Sequence, residues 1–190
     1  MKRPFKILLL GDKHIGKSTF VKSLLNLQIN IQPTIIVSAK HFTIKNRDVI
    51  LWDTSGDLSY ELEIDNYYIN KNFVILAFDP FSLITILRLN HILARYKFLD
   101  IDLPHGILIG LNKQNEELPN DNMILVRNIA KSLGFNIYII NPLERIQINA
   151  LMNKIVPGKK TTNVNTVRDR NVSFSISNKI KNKESCCTIQ

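Results

Sequence analysis

The residues best suited to chemistry lie at positions 11–18, GDKHIGKS, which fit the pattern G-x-x-x-x-G-K-[ST]. Glycines at both ends let backbone N–H groups wrap around phosphate oxygens, while the intervening side chains can point away. The pattern places a lysine at the terminal phosphates and a hydroxyl on magnesium, but it leaves ATP and GTP both open. We predict a phosphate-binding loop whose candidate residues are Gly11, Asp12, Lys13, His14, Ile15, Gly16, Lys17, Ser18 and Thr19.

A second phosphate motif lies about 35 residues downstream, in VILWDTSG at positions 49–56. Asp53 is expected at the end of a strand, where its carboxylate can hold magnesium through a water molecule. The N–H of Gly56 can meet a γ-phosphate. Thr34, in a loop between the two motifs, offers a hydroxyl to the same ion. The predicted magnesium ligands are therefore Ser18, Thr34 and, through water, Asp53.

Buried strands and helices alternate along the chain and are expected to position these motifs. Short apolar runs predict strands in FKILLLG, VSAKHFTI, DVILWD, FVILAFD, HGILIGLNK and FNIYIIN. Helices are predicted over 18–27, 83–98, 120–133 and 143–155. This order indicates an α/β fold with an open, mainly parallel six-stranded sheet and helices on both faces. Such folds bind ligands in the loops at the carboxyl ends of the strands.

The composition changes after residue 156, where a basic segment begins. The whole chain carries a net charge of +9, and residues 157–190 contribute seven Lys or Arg against two acidic residues. This segment is rich in Asn, Thr and Ser and has no apolar periodicity, so we predict a flexible basic tail. We expect it to meet an anionic membrane surface rather than nucleic acid, with a simple solvated tail as the alternative.

The chain ends in KIKNKESCCTIQ, and its two cysteines, Cys186 and Cys187, are adjacent. Residues 187–190 fit the C-a-a-X prenylation pattern, and a terminal Gln suits farnesyl transfer. One lipid anchors weakly, but Cys186 and the lysines Lys179, Lys181 and Lys183 could provide the second signal. No apolar run approaches the roughly 20 residues of a membrane-spanning helix. We therefore expect a lipid-anchored chain on the cytoplasmic face of a membrane.

Together these residues resemble the Ras superfamily of small GTPases, most closely the Rab branch. The resemblance rests on GDKHIGKST, PTIIV, WDTSG, DNYY at 65–68 and LNKQN at 111–115. It implies a G domain over 1–156 that binds Mg²⁺ with GTP or GDP. It also implies an exchange factor, a GTPase-activating protein and effectors as partners, and geranylgeranyl on one or both cysteines.

The resemblance further implies which residues contact the base and the effector. Asn112, Lys113 and Asn115 fall where the family has its Asn-Lys-x-Asp base-recognition motif. The effector region would comprise Ile31, Gln32, Pro33, Thr34, Ile35, Ile36, Val37, Ser38 and Ala39.

The chain departs from the family pattern mainly around the base. Asn115 stands where the family has Asp, so an amide NH2 replaces an acceptor that guanine would use. The segment 141–143, Asn-Pro-Leu, replaces the usual Ser-Ala-Lys. Ile29 lies near the place where the family has an aromatic over the base. These changes predict a weakened preference for guanine.

Two further departures bear on hydrolysis. Asp57 occupies the position of the water-orienting Gln and is the candidate catalytic residue. Its negative charge would lie near an anionic transition state, and its carboxylate cannot donate to a phosphoryl oxygen as an amide does. Lys13 fills a position that the family keeps small and could crowd an incoming arginine finger. Both changes predict slow GTP hydrolysis.

Three functions remain after these observations. The first is a membrane-tethered, Rab-type nucleotide switch in vesicle traffic, and the second is a non-catalytic nucleotide-binding scaffold. The third, a P-loop kinase or ATPase, is disfavoured because it would leave the cysteine-ended tail unexplained. Measured turnover distinguishes the first two functions, and the identity of the co-purified nucleotide tests the third.

Overall fold

The computed structural model describes residues 3–29 and 34–158. Six strands form one sheet in the order β2-β3-β1-β4-β5-β6, in which β2 and β3 are antiparallel and the other pairs are parallel. The strands are β1 Phe5–Gly11, β2 Val37–Ile44, β3 Arg47–Thr54, β4 Phe73–Phe78, β5 Gly106–Leu111 and β6 Asn136–Ile140.

Helices follow the strands along the chain. A short 3-10 turn over Leu58–Tyr60 precedes the second helix. The helices are α1 Lys17–Leu25, α2 Glu61–Asp65, α3 Leu83–Phe98, α4 Asn120–Leu133 and α5 Arg145–Ile155. Over the described ranges, none of these helices is both long enough and apolar enough to cross a membrane.

The core consists of two layers because successive side chains of a strand point to opposite faces of the sheet. In β1, Ile7 and Leu9 belong to a cluster that includes α1 and α5 residues. Leu8 and Leu10 belong to the other cluster, which includes α3 and α4 residues. All of these β1 side chains are fully or almost fully buried. Helices therefore cover both faces of the sheet, and the predicted fold class is confirmed.

The predicted elements agree with the structure in number and order, apart from α2 and the 3-10 turn before it, which were not predicted. The first helix begins at Lys17 and the last at Arg145, slightly displaced from the predicted starts at 18 and 143. The contacts divide the chain into residues 1–159 and 160–190. The predicted tail, including Cys186 and Cys187, lies outside the described residues apart from positions 157 and 158.

Helix α2 is attached to α3 by two side-chain pairs. Arg95 Nε donates to Asp65 Oδ1 at 2.8 Å, and its terminal nitrogen pairs with the other carboxylate oxygen. Both of these side chains are largely buried, and the hydrogen bond to Asp65 raises the pKa of Arg95. His91 Nε2 lies 2.5 Å from Glu61 Oε1 in a more exposed pair. A helix of five residues is not stable by itself in water, so these pairs and the burial of Ile64 in the core hold it in place.

Replacing Arg95 with alanine is expected to lower the free energy of unfolding by about 1–3 kcal/mol, because a forked, charge-assisted contact is lost and Asp65 stays partly buried. Chemical denaturation monitored by circular dichroism measures the change. Lys97→Ala is the matched control, since Lys97 is exposed on the same helix. Equal stability of the two variants would show that the Arg95–Asp65 pair does not hold α2.

Candidate nucleotide-binding site

The loop between β1 and α1 is the first part of the site. Gly16 has φ +108° and acts as the N-cap of α1, a backbone conformation that other residues rarely adopt. A Cβ atom at this position would also lie 3.1 Å from Cε of Lys113. The glycine therefore lets the chain turn directly into α1, whose N-terminal N–H groups and dipole favour a bound anion.

Lys17, the first residue of α1, lies inside this loop. Its side chain is almost fully buried, and Nζ donates a 2.6 Å hydrogen bond to the carbonyl oxygen of Asp12. Burial lowers the pKa of Lys17 to about 8, although the charges of Asp53 and Asp12 oppose this change. A buried ammonium group held by a carbonyl is suited to receive phosphate oxygens, because they would supply the counter-charge that burial otherwise denies it.

The predicted magnesium ligands lie together at the carboxyl end of β3. The hydroxyls of Ser18 and Thr34 are 2.7 Å apart, and Thr34 Oγ1 donates to Asp53 Oδ2 at 3.1 Å. Asp53 is 3% exposed, and its Oδ1 has no hydrogen-bond partner within the described part of the chain. Burial raises the pKa of Asp53, against the hydrogen bond from Ser18 and the charge of Lys17.

This cluster fits magnesium in its chemistry. Mg²⁺ prefers oxygen ligands, and a site that shares the ion with phosphates needs only one or two carboxylates. Two hydroxyls and a buried carboxylate with an unpaired oxygen provide that set. Among the described residues, no group of three or more His, Cys, Asp or Glu side chains could hold a metal.

A cleft of about 450 Å³ joins these groups, which is within the range of small-molecule sites. Lys13 and His14 line it together with the phosphate loop and the magnesium cluster. Lys113 and Leu143 contribute from the loops after β5 and β6, and Ile29 from the segment after α1. The cleft also includes residues that sequence reasoning did not assign to the site, namely Lys22, Thr54 and Ser55.

The loops after β5 and β6 meet at one side of this cleft. Lys113 Nζ donates to the carbonyl oxygen of His14 at 3.3 Å, which links the β5 loop to the phosphate loop. Asn112 is buried and exchanges hydrogen bonds with the backbone of Glu116 at 2.9 and 3.2 Å. Asn112 therefore shapes its own loop, and neither it nor Asn115 lines the cleft.

Asn141, which sequence reasoning placed only in a diverged motif, organises the rest of this side. Its Nδ2 donates to the Lys113 carbonyl at 3.1 Å and lies 3.5 Å from Oδ1 of Asn115. Its Oδ1 accepts the N–H of Leu143 at 2.9 Å. Pro142 has no N–H. The Asn115 oxygen therefore faces Asn141, and the Pro142–Leu143 backbone offers no free donor.

The remaining predicted residues fall into three groups. Ile15 is buried in the core, so its side chain does not enter the cleft, and Asp12 Oδ1 accepts the N–H of Lys13 at 2.8 Å. Of the predicted effector region, Ile35 is 71% exposed, Ile36 precedes β2, and Val37, Ser38 and Ala39 begin β2. Residues 31–33 lie outside the described part of the chain.

Asp57, the predicted catalytic residue, is held by neighbouring donors. Its Oδ1 accepts the N–H and the hydroxyl of Ser59, each at 3.1 Å, and thereby caps the 3-10 turn. Its Oδ2 lies 3.4 Å from Nζ of Lys13. The backbone hydrogen bond from Ser59 and, to a lesser degree, the charge of Lys13 hold the pKa of Asp57 below its usual value. The carboxylate thus contacts Ser59 and Lys13.

Comparison with known proteins connects this geometry to a family. The family model for Roc, the Ras of Complex domain of DAPkinase, matches residues 6–97. RABC2b of Arabidopsis thaliana is 32% identical over 96 residues, which cover 48% of this chain and 47% of that protein. RABC1 of the same plant is 33% identical over 104 residues, or 52% and 47% of the two chains.

Similarity extends to another branch. ADP-ribosylation factor-like protein 5A of Homo sapiens is 31% identical over 75 residues, which cover 39% of this chain and 42% of that protein. The chain thus matches about half the length, or less, of these curated relatives. The range matched by the Roc model contains both phosphate motifs, at 11–18 and 49–56. These similarities, together with the six-stranded α/β sheet, support a divergent small GTPase of the Ras superfamily.

Proposed function

We propose that the protein is a Mg²⁺-dependent guanine-nucleotide switch of the Rab type. The observation that supports this proposal is a cleft lined by Lys17, Ser18 and Thr34, with the buried Asp53 beside it accepting a hydrogen bond from Thr34. The small GTPase family generally binds GTP or GDP with Mg²⁺. Bound magnesium would neutralise phosphate charge, while Lys17 holds the terminal phosphates and Thr34 brings the segment before β2 to the ion.

Switching would follow from the positions of Thr34 and Gly56. Thr34 lies between the undescribed residues 30–33 and β2, and Ser55 N–H donates to the Ile36 carbonyl at 2.7 Å. A γ-phosphate bound at Gly56 and a magnesium ion bound at Thr34 would therefore order the segment before β2 and the loop after β3 together. In this kind of switch, contacts with the terminal phosphate order the two segments, and its loss releases them, so the protein surface changes with the nucleotide.

We further propose that hydrolysis is slow. The Asp57 carboxylate is engaged by Ser59 and Lys13, and it carries a negative charge where the family uses a neutral amide. The same observation favours a second function, a nucleotide-binding scaffold that does not hydrolyse GTP. In either case we propose membrane tethering through lipid on Cys186 and Cys187 and recognition by exchange factors and effectors, with vesicle traffic as the process.

Hydrogen exchange of the full chain tests the switch. We expect segments 34–37 and 55–61 to exchange more slowly with the non-hydrolysable analogue GTPγS and Mg²⁺ than with GDP and Mg²⁺. The strands β4 and β5 are the internal control, because they are buried in the core and their exchange should not depend on the nucleotide. Identical exchange in both nucleotides, with both bound, would contradict the switch and favour the scaffold. Single-turnover GTP hydrolysis then separates a slow enzyme from a non-catalytic protein.

A further inference from the structure

Lys13 and Asp57 form an ion pair that links the phosphate loop to the loop after β3. The Lys13 ammonium lies 3.4 Å from Asp57 Oδ2, and the two side chains are 56% and 41% exposed. Sequence reasoning treated the two residues as separate obstacles to hydrolysis. The structure instead brings them together as partners across one edge of the cleft.

The backbone beneath this pair is closely packed, so the two side chains cannot easily separate by moving their loops. A Cβ atom at Gly56 would lie 2.2 Å from both the carbonyl carbon of Asp12 and the N atom of Lys13. Gly56 and Lys13 also line the same cleft as Lys17 and Ser18. Lys13 can therefore change partners only by rotating its flexible side chain.

We propose that Lys13 is a specificity-determining residue for the terminal phosphate, which it binds by exchanging the Asp57 carboxylate for a γ-phosphate oxygen. This inference rests on the proposed nucleotide function. An ion pair in solvent is weak, and a terminal phosphate carries about 1.5–2 negative charges, so a triphosphate competes effectively for the ammonium. A diphosphate ends one phosphate earlier and leaves the pair intact.

Asp57 then acts through Lys13 and sets the preference for triphosphate over diphosphate. Its other oxygen stays on Ser59, so the 3-10 turn keeps its cap when Lys13 leaves. The competing carboxylate lowers the affinity for the triphosphate without touching the nucleotide. Asp57 is in this sense a positioning residue.

Dissociation constants of GDP and GTPγS in Mg²⁺, measured by titration calorimetry on the full chain, test this inference. Lys13→Met removes the charge but keeps much of the side-chain bulk. It should raise the dissociation constant of GTPγS about tenfold, while that of GDP changes by no more than about twofold. Lys13→Arg should restore most of the loss. Lys131→Met, a substitution of an exposed lysine on α4, is the control and should change neither constant.

Asp57→Asn provides the second arm, because Asn caps a helix as well as Asp does but carries no charge. It should raise the affinity for GTPγS about threefold and leave the affinity for GDP unchanged. When Asp57→Asn is combined with Lys13→Met, this gain in affinity should vanish, because no Lys13 ammonium remains to be released from Asp57. Equal effects of Lys13→Met on both nucleotides, or a gain that persists in the double variant, would overturn the inference. A wild-type chain that binds neither nucleotide would instead overturn the proposed function.

Discussion

Replacing Lys17 with methionine is expected to abolish nucleotide retention, with affinity for GDP and GTPγS reduced by at least about 100-fold. The Lys17 side chain is almost fully buried in the phosphate loop, and its Nζ donates a hydrogen bond to the Asp12 carbonyl oxygen. Removing it leaves several phosphate oxygens without their strongest donor. Titration calorimetry in Mg²⁺ measures the loss.

The fold itself is expected to survive this substitution. Burial lowers the pKa of Lys17 to about 8, which means that the folded chain without nucleotide disfavours the charge. Methionine keeps the apolar stem and removes the charge. The midpoint temperature of thermal unfolding of the nucleotide-free protein should therefore be unchanged or slightly raised. Lys17→Ala, which also removes the stem, separates lost packing from lost charge. Unchanged affinity in the folded methionine variant would defeat the assignment of the phosphate loop.

The second large effect is expected at the base. Wild-type protein should discriminate poorly among GDP, XDP and ADP, and Asn115→Asp should raise the preference for GDP by about 10–100-fold. Asn115 does not itself line the cleft, so the prediction requires the base to reach beyond Lys113 to the loop that carries Asn115. Because Asn141 faces the Asn115 oxygen, the NH2 group would then meet the base edge, where guanine presents donors. Xanthine presents a carbonyl there, which an NH2 group can satisfy. In the Asn115→Asp variant, one carboxylate oxygen could face Asn141 while the other accepts a hydrogen bond from guanine.

Calorimetry with the three nucleotides checks this expectation, and Gln114→Glu is the control because it adds the same charge one residue away, on an exposed side chain. The change should appear as altered discrimination between bases, because Lys17, Ser18 and Asp53 still hold the phosphates. A wild type that prefers GDP by several orders of magnitude, and an Asn115→Asp variant that behaves identically, would remove Asn115 from the base. The alignment of LNKQN with the family motif would then be wrong.

Local patterns were sufficient to predict the sheet and the four longer helices. Buried strands such as Phe73–Phe78 are continuous apolar runs, and α4 ends at Gly134, a left-handed C-cap. Helix α2 was not predicted because Glu61–Asp65 is too short to show a period and exposes Leu62. Its position depends on Arg95 and His91, which lie 30 residues away in sequence.

The site shows the same division. Residues 11–18 and Asp53 were predicted because each motif is local and its spacing is diagnostic. The Lys13–Asp57 pair joins residues 44 positions apart, and the Asn115–Asn141 contact joins residues 26 apart, so neither has a local signal. Pro142 was visible in the sequence, but its effect depends on Asn141 having already taken the N–H of Leu143.

Native mass spectrometry of the full chain, purified gently in Mg²⁺, tests the nucleotide site most directly. Any bound ligand is then released from the protein and identified. The predicted result is a single purine nucleoside diphosphate or triphosphate per chain, retained with magnesium and lost in Lys17→Met. Because the base side is altered, the released base need not be guanine alone. A chain that carries no nucleotide, and acquires none from millimolar GDP, GTP, XDP or ADP with Mg²⁺, would contradict a nucleotide switch.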